Sequence, residues 1–312
     1  MPATRPRGRP SDGRLRAMLR SVLLRLSLLA MRLLALLPLP VLRGLGWLLG
    51  QALYRGLASR RHVVLTNLRL CQPDGSARLR GLRARAHFVR FAQAWLDRAW
   101  LWHGSERQLQ RRLRLTGSSP ALQALHGSGP LVLFAPHFVG LDAGWTALTR
   151  GIPRRFATLY TRQGDPAVDA WVRAGRQRFG APRLFLRVGG VRPVLAGLRE
   201  GDALYLLPDM NFGLDESVFV PFYGVPAATV TSLSRLARLA RAPVLPVVTR
   251  LTGQGYEVCV GPAWEDYPTA DPVHDTAVMN RRLELLIDAM PEQYYWVHRR
   301  FKDRPPGQPP VY

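Results

Sequence analysis

The stretch Pro130-Leu-Val-Leu-Phe-Ala-Pro-His-Phe-Val-Gly-Leu-Asp142 decides how this chain is read. Its first half is an apolar run between two prolines, the length of a short strand buried on both faces. Such a strand, ending at Pro136, delivers His137 to the lip of a sheet. A helix starting just beyond it sets residues four or five apart on neighbouring faces, so Asp142 is expected beside His137. A carboxylate there would hold the far imidazole nitrogen, fix its tautomer and leave the other nitrogen to accept a proton. The plainer alternative is a loop histidine followed by an aspartate in a first helical turn, where the dipole favours negative charge. No Gly-x-Ser-x-Gly elbow occurs in the chain. A base without a protein nucleophile suggests that the substrate's own hydroxyl attacks.

Working outward, strands and helices alternate from Pro130 onward. The pattern predicts strands over 131–135, 155–160, 203–207, 243–249 and 256–260. It predicts helices over 138–149, 166–178, 191–199, 229–241 and 272–289, the last opened by Asp271-Pro272. This alternation predicts an α/β layered domain with ligands at the C-terminal edge of the sheet. Residues 62–125 read as helical, and Phe88, Phe91 and Trp95 form a stripe at helical spacing that is expected to be core. The segment from Ser217 to Thr231 reads as an apolar, Gly/Pro-punctuated loop leading to a helix that Thr229 or Thr231 would cap. Asp209 and Asn211, after Pro208, read as turn-makers. If the tail around His298 is a strand, His298 and Arg300 share one face and Arg299 takes the other.

The N-terminal third has a different character. Residues 1–20 are rich in Pro, Gly and Arg and predict a disordered basic tail. Residues 21–61 are Leu-rich, but Arg25, Arg32 and Arg43 interrupt the run and Pro38 and Pro40 break it. A spanning helix needs about 20 consecutive apolar residues. The pattern therefore favours a helical segment lying in a membrane interface, with a core helical hairpin as the alternative. No cleavage site for a signal peptide follows it.

The composition supports this division. The chain of 312 residues carries 44 Lys and Arg against 21 Asp and Glu, a net charge of +23. Lys302 is the only lysine. So much guanidinium suits anionic partners such as phosphates or an acidic membrane. Nucleic acid is the rival polyanion, but no helix-turn-helix signature or aromatic RNA-binding motif is present. Cys71 and Cys259 lie far apart and fit a reducing compartment. The seven histidines form no metal-type spacing, so no metal is expected.

Three stretches together resemble the late acyltransferases of lipid A biosynthesis, the lauroyl/myristoyl transferase family, over residues 25–312. The family's His-x4-Asp/Glu signature matches His137 and Asp142. Its Pro-Asp-x-x-x-Gly turn and the following Ser-Val-Phe-Val-Pro run match Pro208, Asp209 and Gly213, then Ser217 to Thr229. Its Pro-Glu-Gln-Tyr-x-Trp-x-His-Arg-Arg-Phe-Lys ending matches Pro291 to Lys302. The chain departs from the family in having Asn211-Phe212-Gly213 where Asp-Tyr-Gly is usual.

The resemblance implies an α/β fold with a central mixed sheet flanked by helices, similar to glycerolipid acyltransferases, over residues 62–312. It implies transfer of a fatty acyl chain from acyl carrier protein to a hydroxyl of a lipid A precursor at the cytoplasmic face of a bacterial inner membrane, without a cofactor. His137 and Asp142 are then the catalytic pair. Arg162, Arg176, Arg178 and Asp209 are substrate-binding candidates, with Arg299 and Arg300 behind them. Phe134, Phe138, Phe219 and Phe222 are candidate channel lining, and Arg150 is a further candidate for anion binding. A glycolipid or phospholipid acceptor is the alternative within the same chemistry.

Overall fold

The computed structural model describes residues 24–312, so the basic tail expected over 1–20 lies outside them. Helix α1, described over 24–34, leads into α2 (Leu39–Gly56), α3 (Ala58–Cys71) and α4 (Ala77–His103). Ser76 caps α4 by accepting the amide of Leu79, the expected role of a serine at that position. Leu42, Gly46 and Gly50, at four-residue spacing, form the buried stripe of α2. A Cβ on Gly46 would lie 2.7 Å from Gln93 Cγ, and one on Gly50 would lie 2.5 Å from Val89 Cα. Glycine at these two positions lets α2 lie directly on the backbone of α4. Arg43, one of the charges that break the Leu-rich run, turns inward and pairs with buried Asp97 of α4. Tyr256 and Trp100 donate to the same carboxylate at 2.6 and 2.8 Å. On the outer side, Leu26, Leu29, Leu33, Leu36, Val41, Trp47 and Leu48 are exposed. No described helix is long and apolar enough to cross a membrane.

Beyond α5 (Glu106–Arg112) the chain builds a sheet from β1 (Leu113–Gly117), β2 (Leu131–Phe134), β3 (Phe156–Tyr160), β4 (Arg183–Leu186), β5 (Ala203–Leu206), β8 (Val244–Thr252) and β9 (Gly255–Val260). The order is β1-β9-β8-β2-β5-β3-β4. Neighbours are parallel except β8 and β9, which are antiparallel, so the sheet is mixed. The helices around it are α6 (Ser119–His126), α7 (Leu141–Gly151), α8 (Pro166–Arg176), α9 (Arg192–Arg199), α10 (Ser232–Ala240) and α11 (Pro272–Asp288). Central strands β2 and β5 are buried along their whole length, as runs covered on both faces must be.

The expected central strands are all present, but two edge strands, β1 and β4, were not foreseen. Apart from buried Leu113 their residues are partly buried or exposed and mix arginine with leucine, because an edge strand has no need of two apolar faces. The expected loop after Ser217 is instead a hairpin, β6 (Ser217–Phe222) and β7 (Val225–Val230). Pro221 and Pro226 face each other across it, and the turn residues Tyr223 and Gly224 have φ of 50° and 74°, as a tight two-residue turn requires. The tail is no strand. It forms a short 3-10 turn (Pro291–Gln293), one bridge from Tyr294 to Phe138, and then irregular chain. Asn67 of α3 pins that chain by donating to the carbonyls of Trp296 and His298, both at 2.8 Å.

Candidate active site

Strand register assembles the site. Phe134 of β2 is paired with Leu206 of β5. Three residues past each, after Pro136 and Pro208, stand His137 and Asp209. Both therefore emerge side by side at the C-terminal edge of adjacent parallel strands, where α/β sheets bind ligands. His137 Nδ1 lies 2.8 Å from Asp209 Oδ1, and the His137 backbone N–H donates to Asp209 Oδ2 at 3.0 Å. Burial alone would raise the Asp209 pKa, but the adjacent His137, through its charge and both hydrogen bonds, holds it below the usual range. The ionised carboxylate draws the ring proton to Nδ1. Nε2 then has no hydrogen-bond partner among the described residues, and His137 lines the main cavity. No Ser, Thr or Cys side chain bonds to His137 among those residues.

The turn after Asp209 is held from three sides. Tyr294 donates its hydroxyl to the Asp209 carbonyl at 3.4 Å. Asn211 accepts the Gly213 amide at 3.0 Å, with Gly213 at φ 100°. The Asn211 N–H donates to His298 Nε2 at 3.0 Å. Burial, reinforced by the nearby charges of Arg300 and His137, lowers the His298 pKa to about 4 and keeps that nitrogen an acceptor.

Asp142 does not hold the imidazole, which corrects the expected pairing. Its carboxylate sits between two guanidiniums, with Arg98 Nε at 2.7 Å from Oδ2 and Arg176 Nε at 3.0 Å from Oδ1. The reason is local. Leu141 N–H closes a turn on the Phe138 carbonyl before α7 begins, so His137 and Asp142 are not on one continuous helix. Burial would raise the Asp142 pKa, yet Arg176 and Arg98 together bring it down to about 2. One carboxylate between two arginines leaves a net positive charge in the cavity wall.

The cavity has a volume of about 750 Å³, within the ordinary range for small-molecule sites. His137, Asp142, Arg98 and Arg176 line it together with apolar groups such as Leu141, Val194, Met210 and Leu236. Arg162 is exposed, in the loop between Thr161 and Gln163, both of which line the cavity. The remaining arginine candidates lie elsewhere. Arg178 donates to the carbonyls of Leu101 and Gly104 and so ties down the C-terminal end of α4. Arg300 is buried against Phe222 and donates to Ala228 and Thr229, where no substrate phosphate can reach. Arg299 is exposed beside Tyr312, outside the cavity lining. Arg150 pairs with Glu106. Phe134, Phe138 and Phe222 are core, and Phe219 lies in β6, outside the lining. The aromatic stripe of α4 divides: Phe88 is core, whereas Phe91 and Trp95 line the cavity. Continuing that stripe by three residues reaches Arg98, the site residue that sequence reasoning missed.

The model of the family described as bacterial lipid A biosynthesis acyltransferase matches residues 11–303. The chain belongs to this family. A lipid A biosynthesis lauroyltransferase of Escherichia coli is 30% identical over 280 residues, covering 88% of this chain and 90% of that protein. A lipid A biosynthesis palmitoleoyltransferase of the same organism is 29% identical over 280 residues, with the same coverage. A lipid A biosynthesis acyltransferase of Haemophilus influenzae is 30% identical over 246 residues, covering 78% and 76%. Relatives named for different acyl chains are thus similar to this family member to the same degree, and the role they support is that of a lipid A acyltransferase.

Proposed function

We propose that this protein transfers a fatty acyl chain from the thioester of acyl carrier protein directly to a hydroxyl of a lipid A precursor. The observation that carries the reading is the His137–Asp209 bond at the cavity wall. Asp209 fixes the Nδ1–H tautomer and steadies the imidazolium. His137 Nε2 takes the proton of the acceptor hydroxyl as its oxygen attacks the thioester carbonyl, and the carrier's thiolate leaves. General-base help of this kind contributes about 10²–10⁴-fold. The carbonyl oxygen becomes negative during attack. The positive charge left by Arg98 and Arg176 around Asp142 faces the same cavity and would stabilise it.

The outer faces of α1 and α2, apolar and exposed, suit attachment to the inner membrane at its cytoplasmic face. The net charge of +23 favours both anionic lipid and an acidic carrier protein. The test is transfer from acyl-carrier-protein thioester to a purified lipid A precursor, read by mass spectrometry. His137→Ala should lower turnover at least about 100-fold while the protein stays folded. Near-normal transfer by that variant removes the mechanism, and an unchanged lipid A profile in cells lacking the gene removes the acceptor.

A further inference from the structure

The cavity opens through an apolar ring. A residue that both lines a cavity and is widely exposed must stand at its mouth. Trp95, Val191, Phe212 and Leu239 meet both conditions, each 40% exposed or more. They come from four separate places: the side of α4, the start of α9, the turn after Asp209, and the outer face of α10. The ring continues outward as a lip. Val188, in the short 3-10 turn Arg187–Gly189, is 93% exposed, and Leu186 and Leu214 are exposed as well. The Arg187 guanidinium lies 3.5 Å from the centre of the Phe212 ring, so the 186–191 segment and the 212–214 turn form one surface.

A large exposed apolar surface of this kind around a ligand opening marks an interaction site. Charge selects the partner. Arg187 and Arg235 stand at the lip, with Arg192 next to Val191 in sequence, against Asp215 and Glu216. The balance is positive, as a surface that meets lipid phosphates requires. The ring also lies near the α1 packing site. Met31 of α1 and Ala35 just past its end rest on Ala99 of α4, one helical turn from Trp95.

We infer that this lip is a second membrane-contact element, in which Val188, Leu214 and the mouth residues enter the outer part of an anionic lipid leaflet so that an acyl-bearing acceptor passes from lipid to cavity without crossing water. The inference builds on the lipid acceptor proposed above. It differs from attachment through α1 and α2, because it concerns the catalytic opening.

Two measurements test it on the full chain. In the first, Val188→Cys is made in a Cys259→Ser background and carries an environment-sensitive fluorophore. Vesicles of phosphatidylethanolamine and phosphatidylglycerol are added, and spin-labelled lipids serve as quencher. Emission should rise and be quenched when the protein cosediments with vesicles. A probe that stays aqueous on vesicle-bound protein overturns the inference, as does one shielded only by added carrier protein. In the second, Val188→Asp with Leu214→Asp, neither lining the cavity, should raise the apparent KM for acceptor presented in vesicles at least about fivefold. The same variant should leave activity on detergent-dispersed acceptor unchanged. Equal loss in both formats, or in neither, counts against a lipid-facing lip. A wild-type protein inactive even in detergent refutes the proposed reaction instead, while the fluorescence result stands independently.

Discussion

Asp209→Asn tests whether the imidazole is held by Asp209, as the structure places it, rather than by Asp142, as the spacing along the chain suggests. The Asp209 carboxylate accepts from His137 twice, at Nδ1 (2.8 Å) and at the backbone N–H (3.0 Å), and the side chain is fully buried. Hydrogen bonds to charged groups contribute about 1.5–3 kcal/mol each. The backbone bond is equally present before and during reaction, so it does not alter the barrier. The Nδ1 bond strengthens as the ring gains its proton, so its loss falls on kcat. An amide in that place also presents N–H groups to Nδ1 and favours the wrong tautomer. The expected fall in kcat is about 10²–10³-fold, with KM changed less than about threefold. The assay is transfer under saturating thioester, with circular dichroism and a melting curve to establish that the variant folds. Activity within about threefold of wild type, alongside an inactive His137→Ala, would refute the role given to Asp209 and return the task of orientation to Asp142.

Asp142→Asn should act through structure and substrate together. Removing the one acid between Arg98 and Arg176 destabilises by about 3 kcal/mol, the lower end of the range for broken buried pairs, because both arginines reach the cavity; urea unfolding measures it. The Asp142 pKa of about 2 lies below its unfolded value, so its contribution is complete above about pH 4 and is lost as pH falls towards 2, a limb that D142N should lack. His87 is wholly buried, and burial lowers its pKa to about 4. The unfolded chain binds that proton first, so His87 contributes a fall in stability of about 3 kcal/mol from about pH 7 to pH 4, and His87→Gln should remove that share of the slope in melting curves. Gly175→Ala would set a Cβ 2.2 Å from the Trp102 ring, and it should cost at least about 2 kcal/mol in the same unfolding assay. His298→Ala should lower kcat by loosening the Asp209 turn, and His298→Gln, which restores an acceptor for Asn211 N–H, should recover part of it.

The legible part of this fold was the part with two buried faces. Strands such as Leu131–Phe134 and Ala203–Leu206 announce themselves as short apolar runs, and the helices between them carry ordinary start signals such as Asp271-Pro272. The edge strands were hidden because arginines and partial burial suppress the apolar signature, and the Ser217–Val230 hairpin because its glycine and prolines read as loop signals. At the site, His137 was visible from its place after a buried run. Its partner was not, because the link between His137 and Asp209 is strand register across 72 residues rather than spacing along a helix. Arg300 misled for a related reason. A basic cluster in sequence gives no sign that one guanidinium turns inward to hold the carbonyl of Ala228.

The close seat of α2 on α4 makes the proposed anchor and the rest of the fold inseparable. Cutting the chain after residue 54 would uncover the backbone of Val89 and Gln93 and strand the Asp97 carboxylate in an apolar interior without its guanidinium. A truncated protein that no longer sediments with membranes would therefore report misfolding as readily as detachment. Solubilised forms are better sought by replacing outward residues such as Leu33, Trp47 and Leu48 with polar ones, which leaves the glycine seam and its ion pair intact.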